Sequence, residues 1–146
     1  MAEKVFISGS RDIDGYTDEM SDILKKLRDS GAYILVGDAI KLNYVDDRIQ
    51  YMVDTWITGI RIDPIGADRM VQLYFKLFRY KDVTVYCSRN LTRNNLGNFP
   101  VKRVETSEKG RKFFESKDIA MSQDCDRAVC FWNGYSKGTK ANIDRL

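Results

Sequence analysis

Short apolar runs recur along the chain, and each gives way to a helical pattern. Val5-Phe6-Ile7, Tyr33-Ile34-Leu35-Val36, Val83-Thr84-Val85-Tyr86-Cys87 and Ala128-Val129-Cys130-Phe131-Trp132 show little polar alternation. Strands buried on both faces of a parallel sheet have this pattern. Val101 to Glu105 reads as a further short strand. Between them, Thr17 to Ser30 carries Met20, Ile23, Leu24 and Leu27 at helical spacing, with Asp18 and Glu19 in the first turn and Gly31 placed to end it. Gly66 to Arg79 repeats the pattern with Met70, Val71, Tyr74, Leu77 and Phe78. The later part of Ser107 to Asp124 is helical, with Phe113, Phe114, Ile119 and Met121 inward, and Lys140 to Leu146 forms the last helix. Strands alternating with helices predict an α/β fold, a Rossmann-like three-layer sandwich around a mainly parallel sheet of about five strands, in one domain spanning 1–146.

One stretch departs from that rhythm. Within Ile40 to Pro64, Val45, Ile49, Met52, Val53, Trp56, Ile57 and Ile60 form one apolar stripe, with Asn43 able to cap it and Gly59 and Pro64 able to stop it. The expectation is an inserted amphipathic helix. Its stripe needs a partner, either the domain itself or a second subunit, with a ligand-covering lid ranked third.

Most of these strands end in glycine and polar residues. Ser8-Gly9-Ser10-Arg11 follows the first, Gly37-Asp38-Ala39 the second, and Asn133-Gly134-Tyr135-Ser136-Lys137-Gly138-Thr139 the last. Strand, glycine-bearing loop and helix start form an arrangement in which unpaired amides at the helix N-terminus favour an anion. Ser136 and Thr139 add hydroxyls, Lys137 adds charge, and Arg11 brings a planar fork suited to phosphate or carboxylate. The same residues also make ordinary turns. In open parallel sheets ligands bind beyond the carboxyl ends of the strands, so three such ends together favour an anion or nucleotide site.

Composition narrows the chemistry. The chain has no histidine, which removes histidine triads, histidine bases and most zinc sites. Three cysteines, Cys87, Cys125 and Cys130, lack metal-type spacing and read as small buried hydrophobes. The net charge of +3 suits small anions and is too weak to argue for nucleic acid. No run spans a membrane and no signal peptide is evident, so the expected location is the cytoplasm. No metal and no cofactor is called for, and a homodimer remains open.

Taken together, the three strand ends, Gly66-Ala67-Asp68, Val83 to Ser88, Arg93-Asn94-Asn95 and Cys125-Asp126 resemble the small stand-alone SLOG proteins. These are Rossmann-like nucleotide-binding domains related to the Smf/DprA DNA-processing proteins and the lonely-guy phosphoribohydrolases, and more distantly similar to nucleoside 2-deoxyribosyltransferases. The resemblance implies a nucleotide pocket lined by Ser8, Gly9, Ser10, Arg11, Gly37, Asp38, Gly66, Asp68, Arg93, Asn94, Gly134, Ser136, Lys137, Gly138 and Thr139. Asp38 or Asp68 would accept from ribose hydroxyls. The chain departs from the family twice. The family pattern joins Gly-Asp-Ala almost directly to Gly-x-Asp, whereas about 25 residues separate them here. The family's hydrolases also place a glutamate where this chain has Asn142, and an amide cannot act as carboxylate nucleophile or base. The reading is therefore a binding or sensing module without turnover. The alternatives are an enzyme acting on an N-glycosidic bond through Asp118 or Asp126, and a DNA-associated protein using the Arg89, Arg93, Lys102 and Arg103 region.

Overall fold

The computed structural model describes every residue except Met1, Asp14, Ile40, 47–59, Leu91, Asn133, Tyr135 and Ser136, and it describes 41–46 and 60–64 by their backbone alone. Its elements are β1 (Lys4–Gly9), α1 (Asp18–Asp29), β2 (Tyr33–Gly37), β3 (Lys41–Asp46), β4 (Ile60–Ile65), α2 (Ala67–Leu77), β5 (Val83–Ser88), β6 (Val101–Val104), α3 (Arg111–Asp124), β7 (Arg127–Phe131) and α4 (Lys137–Arg145).

Five strands form one sheet in the order β6-β5-β2-β1-β7, and every pairing in it is parallel. The chain steps outward from β1 through β2 and β5 to β6, then returns through α3 to add β7 on the other side of β1. That reversal puts a topological switch between β1 and β7, where open α/β sheets bind ligands.

The unbroken apolar runs follow from burial on both faces. Val5, Ile7, Ile34, Val36, Val83 and Val85 pack on one side with Leu24 and Leu27 of α1 and Val71 and Phe75 of α2. Phe6, Leu35 and Tyr86 point the other way and meet Met121 of α3. α4 lies beside α3 and touches β1 and β7. These are the three layers expected from the sequence.

α1 is built as its sequence predicts. Thr17 Oγ1 accepts from the Met20 amide at 3.1 Å, and Gly31 beyond its end takes a left-handed φ of 72°. α2 begins without a side-chain cap. Its first amides go to the β1–α1 connection instead: Gly66 N donates to Ile13 O at 2.7 Å and Ala67 N to Ser10 O at 3.1 Å. That brings α2 hard against the end of β1. A Cβ on Gly9 would lie 2.3 Å from Ala67 Cβ and 2.9 Å from Phe131 O. Gly9→Ala is thus expected to lower stability by about 1–3 kcal/mol through overpacking. Thermal denaturation of the variant checks this, and an unchanged midpoint would mean that α2 does not rest on the strand end.

The insertion differs from its expectation. Residues assigned to the two ends of the amphipathic helix, from Asn43 to Asp46 and at Ile60, lie in an antiparallel ribbon running from Lys41↔Ile65 to Asp46↔Ile60. Tyr44, Val45, Ile60 and Ile62 favour strand, and two segments leaving one rim side by side can pair directly. Ile49, Met52, Val53, Trp56 and Ile57 lie outside the described residues.

Candidate functional site

Registers fix where the glycine-bearing turns fall. Ile7 pairs with Val36, Gly9 with Phe131 and Gly37 with Tyr86. The chain therefore leaves β1, β2 and β7 side by side along one rim, although these turns are over 120 residues apart at the extremes. Ser8 and Ser10 are buried there. Ser10 N donates to Phe131 O at 2.9 Å, tying the first turn to the last. Ser8 Oγ accepts from Asn142 Nδ2 at 2.9 Å. The Asn142 side-chain oxygen in turn accepts from Arg145, which also binds Glu115 at 2.7 Å. Asn142 is a clasp between β1, α3 and α4. Arg11 is exposed above it all, and its backbone backs onto Gly66, whose φ is 129°.

α4 begins at Lys137, three residues before the expected start. Lys137, Gly138 and Thr139 thus belong to its first turn. Lys137 and Gly138 are exposed and Thr139 is buried. Gly134 holds a φ of 86° just ahead of them, a conformation that suits glycine. Ser136 lies outside the described residues.

Around the end of β2 sits a buried cluster of charges. Both oxygens of Asp38 are engaged by Arg93, whose amide donates at 2.9 Å and whose guanidinium donates at 3.0 Å. The guanidinium also lies 4.3 Å from the centre of the Phe114 ring. Asp68 accepts from the Ala39 amide at 3.0 Å. Lys117, 3% exposed, donates to Asp118 at 2.8 Å. A Cβ on Gly37 would stand 2.7 Å from Asp68 Oδ2 and 3.2 Å from Lys117 Nζ. The absence of a side chain at Gly37 is what lets a carboxylate from α2 and an ammonium from α3 approach over the strand end.

Among the described residues the balance is three carboxylates, Asp38, Asp68 and Asp118, to two cations, Arg93 and Lys117. Asp68 reflects this. Burial pushes its pKa up to about 7, with Lys117 opposing and Asp118 and Asp38 reinforcing the rise. Burial pulls Lys117 down, but Asp118 and Asp68 outweigh it and hold its pKa above the ordinary lysine value. Gln72, fully buried, secures the neighbourhood. It donates to Gly37 O at 3.0 Å and to Asn94 O at 3.1 Å, and accepts from Leu96 N at 2.8 Å. Asn94 is buried within this loop.

The two candidate catalytic carboxylates separate. Asp118 belongs to the charged cluster. Asp126 lies at the opposite end of the sheet, where its amide donates to Lys4 O at 2.8 Å and its carboxylate accepts from Lys4 N at 2.8 Å. The cysteines are all free, and burial raises the thiols of Cys125 and Cys130, which disfavours the thiolate.

Lys117 and Gln72 were not among the nominated residues. Lys117 had a signal: it falls three after Phe114 and four before Met121, on the apolar stripe of α3, where a lone lysine must find a carboxylate. The open cavity was also unforeseen. It measures about 650 Å³ and lies between the β1–α1 connection and the end of β7, walled by Ile13, Tyr16, Glu19, Met20, Val129 and Trp132 among others. Tyr16 is held there by donating to Met70 O at 2.6 Å, with its ring edge-on to Tyr74 at 6.2 Å. Among the described residues, no group of acidic or cysteine side chains could hold a metal ion, and no helix is long and apolar enough to cross a membrane. Comparison with known proteins adds nothing to this geometry, since no family model, curated protein or solved structure matches the chain.

Proposed function

We propose that the protein binds a nucleotide or nucleotide derivative at the carboxyl rim of its sheet, as a binding or sensing module. One observation carries this reading: three glycine-bearing strand ends, drawn from opposite ends of the sequence, lie together at the switch between β1 and β7. A cavity of mononucleotide size opens beside them. The phosphate rests on the start of α4, where Lys137 and the first-turn amides meet it, and Arg11 neutralises it from the β1 side. Arg93 already engages both oxygens of Asp38, so the carboxylate left for a sugar hydroxyl at this rim is that of Asp68. The resemblance to SLOG proteins points to the same ligand class, and Asn142, bonded to Ser8 and Arg145, offers no nucleophile.

Titration calorimetry with a panel of nucleoside mono- and diphosphates and ADP-ribose-like compounds tests the reading. Binding should be seen with at least one, and Lys137→Ala combined with Arg11→Ala should weaken it by about tenfold or more, the effect of losing charged hydrogen-bond partners. A folded sample that gives no heat with any compound overturns it. A second reading, cleavage of an N-glycosidic bond, is favoured by the placement of Asp118 in the charged cluster. Free base released on long incubation, and abolished by Asp118→Asn, would select it.

A further inference from the structure

The two edges of the sheet are built differently. β6 ends one side with Val101-Lys102-Arg103-Val104, and both of its cations are exposed. Charges on an outer strand keep other strands from pairing with it. β7 ends the other side. From Ala128 to Trp132 the chain carries no charge there, and Ala128, Val129 and Cys130 are only half-buried. Among the described residues, no strand pairs with the outer side of β7.

The open cavity follows the same edge. Val129, Cys130, Phe131 and Trp132 all line it, although successive side chains of a strand point to opposite faces. A cavity that touches four residues in a row runs along the outer side of the strand. The direction of the backbone groups there follows from the register. Gly9 is the partner of Phe131, and Phe131 O accepts from Ser10 N, so the polar groups of Phe131 turn towards β1. Residues of a parallel ladder alternate in this respect. Those of Val129 therefore turn inwards too, and the amides and carbonyls of Ala128 and Cys130 turn outwards.

That arrangement is symmetric about Val129. On a two-fold axis through Val129, an antiparallel second copy sets its Cys130 against Ala128 and its Ala128 against Cys130. Each such pair exchanges both N–H···O bonds, so every outward group of Ala128 and Cys130 finds a partner. Val129 meets its own equivalent on the axis, and Arg127 of each copy lies opposite Phe131 of the other, so no like charges are opposed. The axis also runs the two α1 helices antiparallel on one side of the joined sheet. α1 has Asp18 and Glu19 in its first turn and Lys26 and Arg28 in its last. Ile23 lines the cavity together with Val129, and Glu19 and Lys26 flank Ile23 on the same side of the helix, both exposed. The acidic end of one helix thus faces the basic end of the other, a complementarity that a second copy brings with it.

We infer that the outer side of β7 is an interface for a second copy of this chain, paired antiparallel about Val129 into one continuous sheet. Such an isologous contact closes at two copies. It stands independently of the nucleotide reading.

Sedimentation of the full chain at about 0.1 mM tests it, since a dimer with a Kd of about 1 μM is then the dominant species. The expected result is twice the mass of one chain. Adding Val129→Cys to a Cys130→Ser background puts one new thiol on the axis, with Cα atoms about 4.5 Å apart, within the reach of a disulfide. Mild oxidation should give a covalent dimer of that variant and none of Cys130→Ser alone. Ala128→Pro removes an outward amide that the pairing with β1 does not use, and should leave a monomer with an unchanged circular dichroism spectrum. A parent protein that sediments as a monomer overturns the inference. So does a Val129→Cys variant that gives no covalent dimer, or a dimer that survives Ala128→Pro in a folded sample. If Ala128→Pro does not fold, the cross-link decides.

Discussion

Lys117→Met is expected to lower the free energy of unfolding by about 3–5 kcal/mol at pH 7.5, the cost of removing one partner from a buried ion pair. Methionine preserves the length and volume of the stem, so packing on α3 changes little and the loss reports on the charge. The ammonium is the group that holds Asp118 at 2.8 Å and sits over Gly37 beside Asp68. Without it, Arg93 is the one cation among the described residues that faces three carboxylates, and Arg93 already serves Asp38. Since small domains are stable by only about 5–15 kcal/mol, such a loss is a large part of the whole. It should shrink on acidification, as Asp68 takes up a proton and no longer needs a counter-charge. Urea unfolding at pH 7.5 and pH 5 measures both effects, and a midpoint equal to that of the parent protein at pH 7.5 would show that Lys117 contributes nothing.

Asp68→Asn is expected to do the reverse. The carboxyl of Asp68 titrates at about 7 in the folded protein against an ordinary 3.8. The folded state therefore holds a proton that the unfolded state has released between those values. Stability from this residue is full below about pH 4 and declines as the pH rises through 7. Asparagine stays neutral throughout and keeps an acceptor for the Ala39 amide. Each pKa unit corresponds to about 1.4 kcal/mol, which sets a ceiling of about 4 kcal/mol. About half of that is expected, because Lys117 and Asp118 respond to the same charge. The variant should be more stable than the parent by about 2 kcal/mol at pH 8, with the difference closing towards pH 5. Unfolding curves at four pH values between 5 and 8 decide it: a gap that does not depend on pH removes Asp68 as the titrating group.

How far the sequence could be read shows in particular residues. Val5-Phe6-Ile7 declared a doubly buried strand because no position could tolerate water, and Val5 and Phe6 face opposite helix layers. The rim glycines were legible for a similar reason, since punctuation after an apolar run is local. Lys117 could be suspected from its place on the apolar stripe of α3, but its setting was hidden, because Gly37 and Asp68 come from distant stretches and no window along the chain joins them to it. Gln72 reads as one polar residue of an amphipathic helix, yet three bonds to β2 and the 94–96 loop define it. α4 started earlier than expected because Gly138 weakens helix propensity while tertiary contact through Thr139 and Asn142, both buried, overrides it. The insertion was misread at its ends because a helical count absorbed residues that pair across the ribbon. The cavity follows from β7 being an outer strand, a fact of topology that no local pattern carries.

That ribbon also explains how so long a detour leaves the frame undisturbed. Lys41 and Ile65 are cross-strand partners, so the excursion returns within one ladder spacing of its departure. Closing such a loop adds little entropy penalty as its contents lengthen. The anchor points at Ala39 and Asp68 stay joined by their own hydrogen bond whatever the passenger contains. The scaffold is in this sense a socket, able to carry sequences of differing length at that point while the spacing of its neighbouring turns stays constant.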